Sequence, residues 1–136
     1  MQEFFQEFHF GWRYLVLTTT VYVAVYFLFA LITNKTHARS EKLTLQIWAG
    51  VVDMQLLLGI ILLVIYLLDD RYYDRLTGHW TTMLIAVFMV HVPAFYRRFN
   101  GEPTAQVRRI MGLVLPIITF ILVAIGLAAI DRGLIG

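Results

Sequence analysis

The residues able to do chemistry are few, and they sit at the edges or in the middle of apolar stretches. His9 and His79 each precede or open a long apolar run, and Arg13 follows His9 by four residues. Haem b takes two axial ligands from opposite faces of its ring, and two histidines from different helices supply them. Arg13 shares a helical face with His9 if the helix begins that early, and a guanidinium there suits a haem propionate. His9 and His79 with Asp69 or Asp70 also make a nitrogen and oxygen donor set for zinc or copper. The plain alternative is that interfacial His and Arg side chains sit in wet headgroups.

A second group lies deeper. Asp53 is roughly 15 Å into its apolar run at 1.5 Å per residue, near a bilayer midplane, and His91 is roughly 8 Å deep from the other end of its own run. A carboxylate at that depth needs a partner or a proton. The depths therefore predict that Asp53 and His91 are close in space or share a polar pocket; in a redox protein they would line, with Gln55, an inner pocket for a proton path, a quinone headgroup or a second cofactor. Against this stands a purely structural use, in which Asp53 fastens two helices by a hydrogen bond. His79 and His91 cannot clamp one group: twelve residues place them about 18 Å apart along one helix and on different faces. His37 lies in a polar loop with Lys35 and Arg39 and reads as solvated.

The elements that must hold these side chains follow from composition. Of 136 residues, 60% are hydrophobic and 15% charged. A soluble domain of this size has too little interior for so much apolar surface. Four apolar runs, 14–32, 43–68, 80–96 and 110–130, each approach the roughly 20 residues that cross a ~30 Å hydrocarbon layer. Short polar connections, 33–42, 69–79 and 97–109, join them as antiparallel neighbours. The fold class expected is an all-α, antiparallel four-helix transmembrane bundle in one domain. Pro93 and Pro116 are expected to kink or bend the third and fourth helices. Gly50, Gly59, Gly112 and Gly126 offer places for close backbone approach, and Thr18, Thr19 and Thr20 can bond back to their own helix.

Both termini and the second connection fall on one side, with Arg13, Arg71, Arg75 and Arg132 as its basic residues. The first and third connections carry Lys35, Arg39, Lys42, Arg97, Arg98, Arg108 and Arg109. This bias places the basic connections in the cytoplasm and both termini outside an inner (plasma) membrane. Glu3 and Glu7 stand where a cleavable signal needs basic residues. Phe4, Phe5, Phe8, Phe10 and Trp12 suggest a short segment lying in the headgroup region before the first span. The chain has no cysteine, which excludes disulfides, thiolate metal sites and thioether-attached haem. Its net charge of +2 gives no footprint for nucleic acid. Gly-rich phosphate loops, serine-nucleophile motifs and paired hydrolase carboxylates are missing from the sequence. The run 69–75 reads as a solvated, charge-balanced loop.

The segment His9-Phe10-Gly11-Trp12-Arg13 resembles the His-x-Gly-Trp-Arg opening of small four-helix bacterial membrane proteins often labelled cytochrome-b-like. Asp53, Gln55 and Gly59 match an Asp-x-Gln-x-x-x-Gly pattern in the second helix of that group, and His79 and His91 match two third-helix histidines. Gly78 stands where such proteins often carry a glutamate. The resemblance covers nearly the whole chain, and it implies a membrane bundle with haem b and electron transfer. Two other roles remain open on the residues alone. One is a cofactor-free accessory subunit packed against a larger respiratory or photosynthetic complex. The other is a metal-handling or small-solute membrane protein.

Overall fold

A computed structural model describes residues 1–70 and 74–135, with side chains outside 74–75 and 131–135. The expectations for Arg71, Tyr72, Tyr73, Asp74, Arg75, Asp131 and Arg132 lie outside the described residues or side chains. The chain is all-α: α1 (Gln2–Thr33), α2 (Ala38–Leu68), α3 (Asp74–Asn100) and α4 (Ala105–Ile135). All four are long and apolar enough to cross a membrane. Sequential helices are neighbours and α4 returns to α1, so α1 and α3 form one diagonal and α2 and α4 the other. The seam between α2 and α3 is the thinnest of the four.

The helices extend well past the apolar runs. The 32 residues of α1 amount to roughly 48 Å at 1.5 Å per residue, against a ~30 Å hydrocarbon layer. Apolarity marks the thickness of the lipid; the backbone ladder continues until something stops it. The expected headgroup segment before residue 14 is therefore the first three turns of α1. Two bonds tie it to α2: the Trp12 indole N–H donates to the Val51 carbonyl at 2.8 Å, and Gln6 bonds the Tyr66 hydroxyl at 2.5 Å. Phe4, Phe8 and Trp12 stack in succession, the first two exposed and Trp12 packed against the core. Likewise the first and third connections shrink to 34–37 and 101–104, and most residues expected in loops are helical. α3 and α4 run on through Pro93 and Pro116 as single helices. Each ring leaves one carbonyl, that of Met89 or Gly112, without its usual helical donor.

Buried positions recur at alternating steps of four and three: Val16, Thr20, Val23, Phe27 and Ala30 on α1; Glu41, Leu45, Trp48 and Val52 on α2; Arg109, Gly112, Pro116, Thr119, Val123 and Gly126 on α4. This is the seam spacing of helices packed at shallow angles. At its centre the fully buried Trp48 donates to the Thr20 hydroxyl at 3.0 Å, and Thr20 donates to the Val16 carbonyl at 2.6 Å. Thr19 bonds back to Leu15 in the same way. Glycine supplies close approach at Gly112, where a Cβ would overlap the Phe27 ring, whereas Gly50 faces open space.

Sequence reasoning treated the basic end as loop, but it holds a buried ionic network. Glu41 has no exposed surface. Its carboxylate accepts from Arg108 at 3.0 and 3.2 Å and from Arg109 at 2.6 Å. Arg109 also donates to the Asn34 side-chain carbonyl at 2.7 Å. Asn34 closes α1 in a left-handed conformation, φ 53°, which asparagine tolerates better than most residues. The network thus joins the end of α1, the start of α2 and the start of α4. Outside it, exposed Lys42 and Glu102 pair at 3.0 Å, and that bond holds the Glu102 carboxyl below its ordinary range.

Replacing Glu41 with Gln leaves two buried guanidiniums without their anion. We expect a loss of about 3–5 kcal/mol of unfolding free energy, with Arg98→Gln on the exposed surface within about 0.5 kcal/mol of the parent. Reversible unfolding in mixed micelles measures both. Gly112→Ala should cost about 1–3 kcal/mol through overpacking, and adding Phe27→Leu should recover part of it in the same assay.

Candidate functional site

His9 lies seven residues before Val16, and His79 lies seven before Ala86; both partners are buried. Each histidine therefore continues the core-facing stripe of its helix past the lipid-like core toward the end carrying the chain's N-terminus. The stripes of α1 and α3 face each other across the bundle diagonal. The two imidazoles meet there edge to face, with ring centroids 6.4 Å apart and planes at 78°.

Polar partners fix how each ring presents its nitrogens. His79 Nδ1 lies 3.2 Å from the Gly126 carbonyl. A carbonyl only accepts, so Nδ1 carries the hydrogen and Nε2 keeps a lone pair. Gln55 Nε2 donates to the His9 carbonyl at 3.2 Å, which fixes the amide orientation, and the same amine faces His9 Nε2 at 3.4 Å. His9 Nε2 is then the acceptor. His9 Nδ1 and Gln55 Oε1 are buried with no hydrogen-bond partner among the described residues. Glycine lines both rings. A Cβ on Gly59 would come 3.4 Å from His9 Cε1, and one on Gly126 would fall 2.7 Å from the Thr82 hydroxyl and 2.8 Å from the Met83 methyl.

The expected Asp53–His91 pairing is present. His91 Nε2 donates to Asp53 Oδ1 at 2.8 Å across the α2–α3 seam. The His91 and Asp53 side chains remain 34% and 46% exposed respectively, so the pair lies on the flank of the bundle, outside its packed centre. Gln55 does not join it, contrary to the sequence expectation. Two residues turn a helix by about 200°, so Asp53 faces α3 while Gln55 faces His9 on α1. The inner pocket proposed for Asp53, Gln55 and His91 is thereby divided into two places. Arg13 donates to the Tyr14 hydroxyl at 3.2 Å, and its guanidinium lies over the Phe10 and Tyr14 rings at 5.5 and 5.0 Å. It is held among aromatic side chains at the same level as His9.

The donor set decides which groups the histidine pair suits. Two imidazoles bound to one ion from opposite sides have centroids roughly 6 Å apart, from metal–nitrogen bonds of about 2 Å and a ring radius of about 1 Å on each side. The separation of 6.4 Å is of that size, with the ring planes at 78° to each other. A zinc or copper site wants three or four protein donors. Among the described residues no three His, Asp or Glu side chains gather, and the expected contribution of Asp69 or Asp70 is not seen. A haem brings four equatorial nitrogens and asks the protein only for two axial ones, so the pair fits it. The Gln55 amide rests on His9 Nε2 at 3.4 Å and would have to leave that nitrogen for it to bind an iron.

Sequence reasoning missed the roles of Gly126 and of Gln55 at His9. The stripe spacing carries the signal for both, since Gln55 and Gly59 extend the series Glu41, Leu45, Trp48, Val52, and Gly126 extends that of α4.

A double-mutant cycle of Asp53→Ala and His91→Ala should give a coupling of about 0.6 kcal/mol and no more than about 1.7, the range for interhelical hydrogen bonds in membrane bundles. Unfolding in mixed micelles reads it, and Gln55→Ala combined with His91→Ala should show no coupling.

No family model, curated protein or solved structure matches this chain.

Proposed function

We propose that the protein is a membrane electron carrier, or the haem-bearing subunit of a redox complex, in which His9 and His79 are the two axial ligands of haem b. The observation that carries this reading is the pair itself: two imidazoles from diagonal helices, 6.4 Å between centroids, with no third donor alongside among the described residues. Bound haem would supply one-electron transfer. The chain's part is to hold and tune it. The Gly126 carbonyl orients His79 through Nδ1 and raises its basicity, as outer-shell acceptors do for ligating histidines. Gln55 keeps a donor near His9. Arg13, one turn after His9, is the cation for a propionate, which would draw it from Phe10 and Tyr14.

Asp53 and His91 form the proton-handling pair of this reading, placed for a quinone headgroup or a proton path on the α2–α3 flank. The basic end then faces the cytoplasm and the histidine end lies outside an inner (plasma) membrane, following the Lys/Arg bias. An accessory role in a larger membrane complex is the second reading. Exposed Phe4 and Phe8, stacked on the partly buried Trp12 beside a shallow hollow at Gly11 and Leu15, favour a neighbouring helix there.

Visible spectra of the detergent-purified protein, oxidised and then reduced, test the proposal. We expect a sharp reduced α-band that is lost in both His79→Ala and His9→Ala and kept in His37→Ala. A folded, colourless protein that also takes up no added haemin would defeat it and favour the accessory role.

A further inference from the structure

The basic end carries more positive charge than its carboxylates balance. Two guanidiniums, Arg108 and Arg109, share the single carboxylate of Glu41. Lys42 pairs with Glu102, and Arg97 and Arg108 also act on that one carboxylate through their charge. Four cations thus stand with two carboxylates in one cluster. Part of the excess is held out of solvent: the Arg108 side chain is only 7% exposed. Arg108 and Arg109 are both bonded to Glu41, yet the cluster keeps a net positive charge, which an anion from outside the chain would offset.

A half-open cavity of about 60 Å³ lies where that anion would go, between α2, α3 and the start of α4. Lys42, Arg97 and Arg108 line its upper part with Glu102, and Val90 and Ala94 belong to its apolar wall. The volume admits about four to six water-sized atoms. A phosphate group fits it and a porphyrin does not. Its lining runs from Glu102, in the connection after α3, down to His91; Arg97 is roughly 9 Å from His91 along the helix. The cavity therefore passes from a charged rim to apolar walls on helices long enough to cross a bilayer. A free anion has no use for the apolar part, whereas an amphiphile with a phosphate head uses both.

We propose that this cavity is a binding site for the phosphate headgroup of an anionic phospholipid, whose acyl chains lie along the α2–α3 seam. Basic pockets between membrane helices are suited to such headgroups. Glu102 opposes the lipid: it occupies Lys42 and adds a negative charge at the rim. The assignment is independent of whether the histidine pair binds haem.

The test is binding of phosphatidylglycerol and phosphatidylcholine to the delipidated full chain in detergent, read by native mass spectrometry and by lipid-dependent thermal stabilisation. Phosphatidylglycerol should bind at least tenfold more tightly. Arg97→Gln and Lys42→Gln should each weaken it about fivefold, from roughly one charge contact apiece, while Arg98→Gln, outside the cavity, leaves it unchanged. Glu102→Gln should tighten binding, an outcome that misfolding cannot mimic. Equal affinity for the two lipids, an Arg98→Gln loss as large as that of Arg97→Gln, or no gain in Glu102→Gln would overturn the site. Inorganic phosphate stabilising the protein as strongly as the lipid would overturn the lipid assignment.

Discussion

One carboxylate, that of Glu41, organises the basic end of this bundle. It is fully buried and binds Arg108 and Arg109 at the head of α4, while Arg109 reaches back to Asn34 at the close of α1. Lipid-facing apolar side chains give little preference for one helix register over another, since lipid tails are as apolar as the side chains they would contact. Directional bonds between charges do give a preference. With Arg109 fixed on Glu41, the stripe of α4 falls on the core, so that Gly112 meets Phe27 and Gly126 meets His79. Register set at one end thereby governs the geometry at the other.

The two ends differ in kind. At the basic end, charges are paired, buried and shared between three segments of chain. At the histidine end, the polar groups are neutral or half satisfied: a long amide-to-imidazole contact at 3.4 Å, an imidazole nitrogen and an amide oxygen buried without partners among the described residues. Unsatisfied polar atoms in a buried place cost free energy. Two of the three such side-chain atoms among the described residues lie at His9 and Gln55, and Thr119 Oγ1 is the third.

Helix phase explains what the sequence made legible and what it did not. The four helices and their antiparallel order were readable because twenty-residue apolar runs have few other uses. The Asp53–His91 contact was readable because both are costly in lipid and their depths differ by only about 7 Å. Gln55 lies near Asp53 in depth, but its rotation by about 200° from Asp53 turns it to α1, which depth does not reveal. Glu41, Arg108 and Arg109 were assigned to loops because hydropathy drops there, although the helices continue. Their positions on the four-three stripe show them to be core residues, despite their charge.

By itself the sequence determined the class of fold, the polarity of its two ends and the short list of side chains with chemistry to offer. Those are properties of composition and of depth along each helix, which one-dimensional spacing measures. The tertiary structure alone decided which of those side chains meet. Contact depends on the rotation of each helix about its axis and on its sliding against neighbours, and a one-residue change in either swings a side chain by about 100°. The pairing of His9 with His79, the division between Asp53 and Gln55, and the burial of Glu41 all rest on that rotation. It is set by the joint packing of four helices, which no single helix encodes.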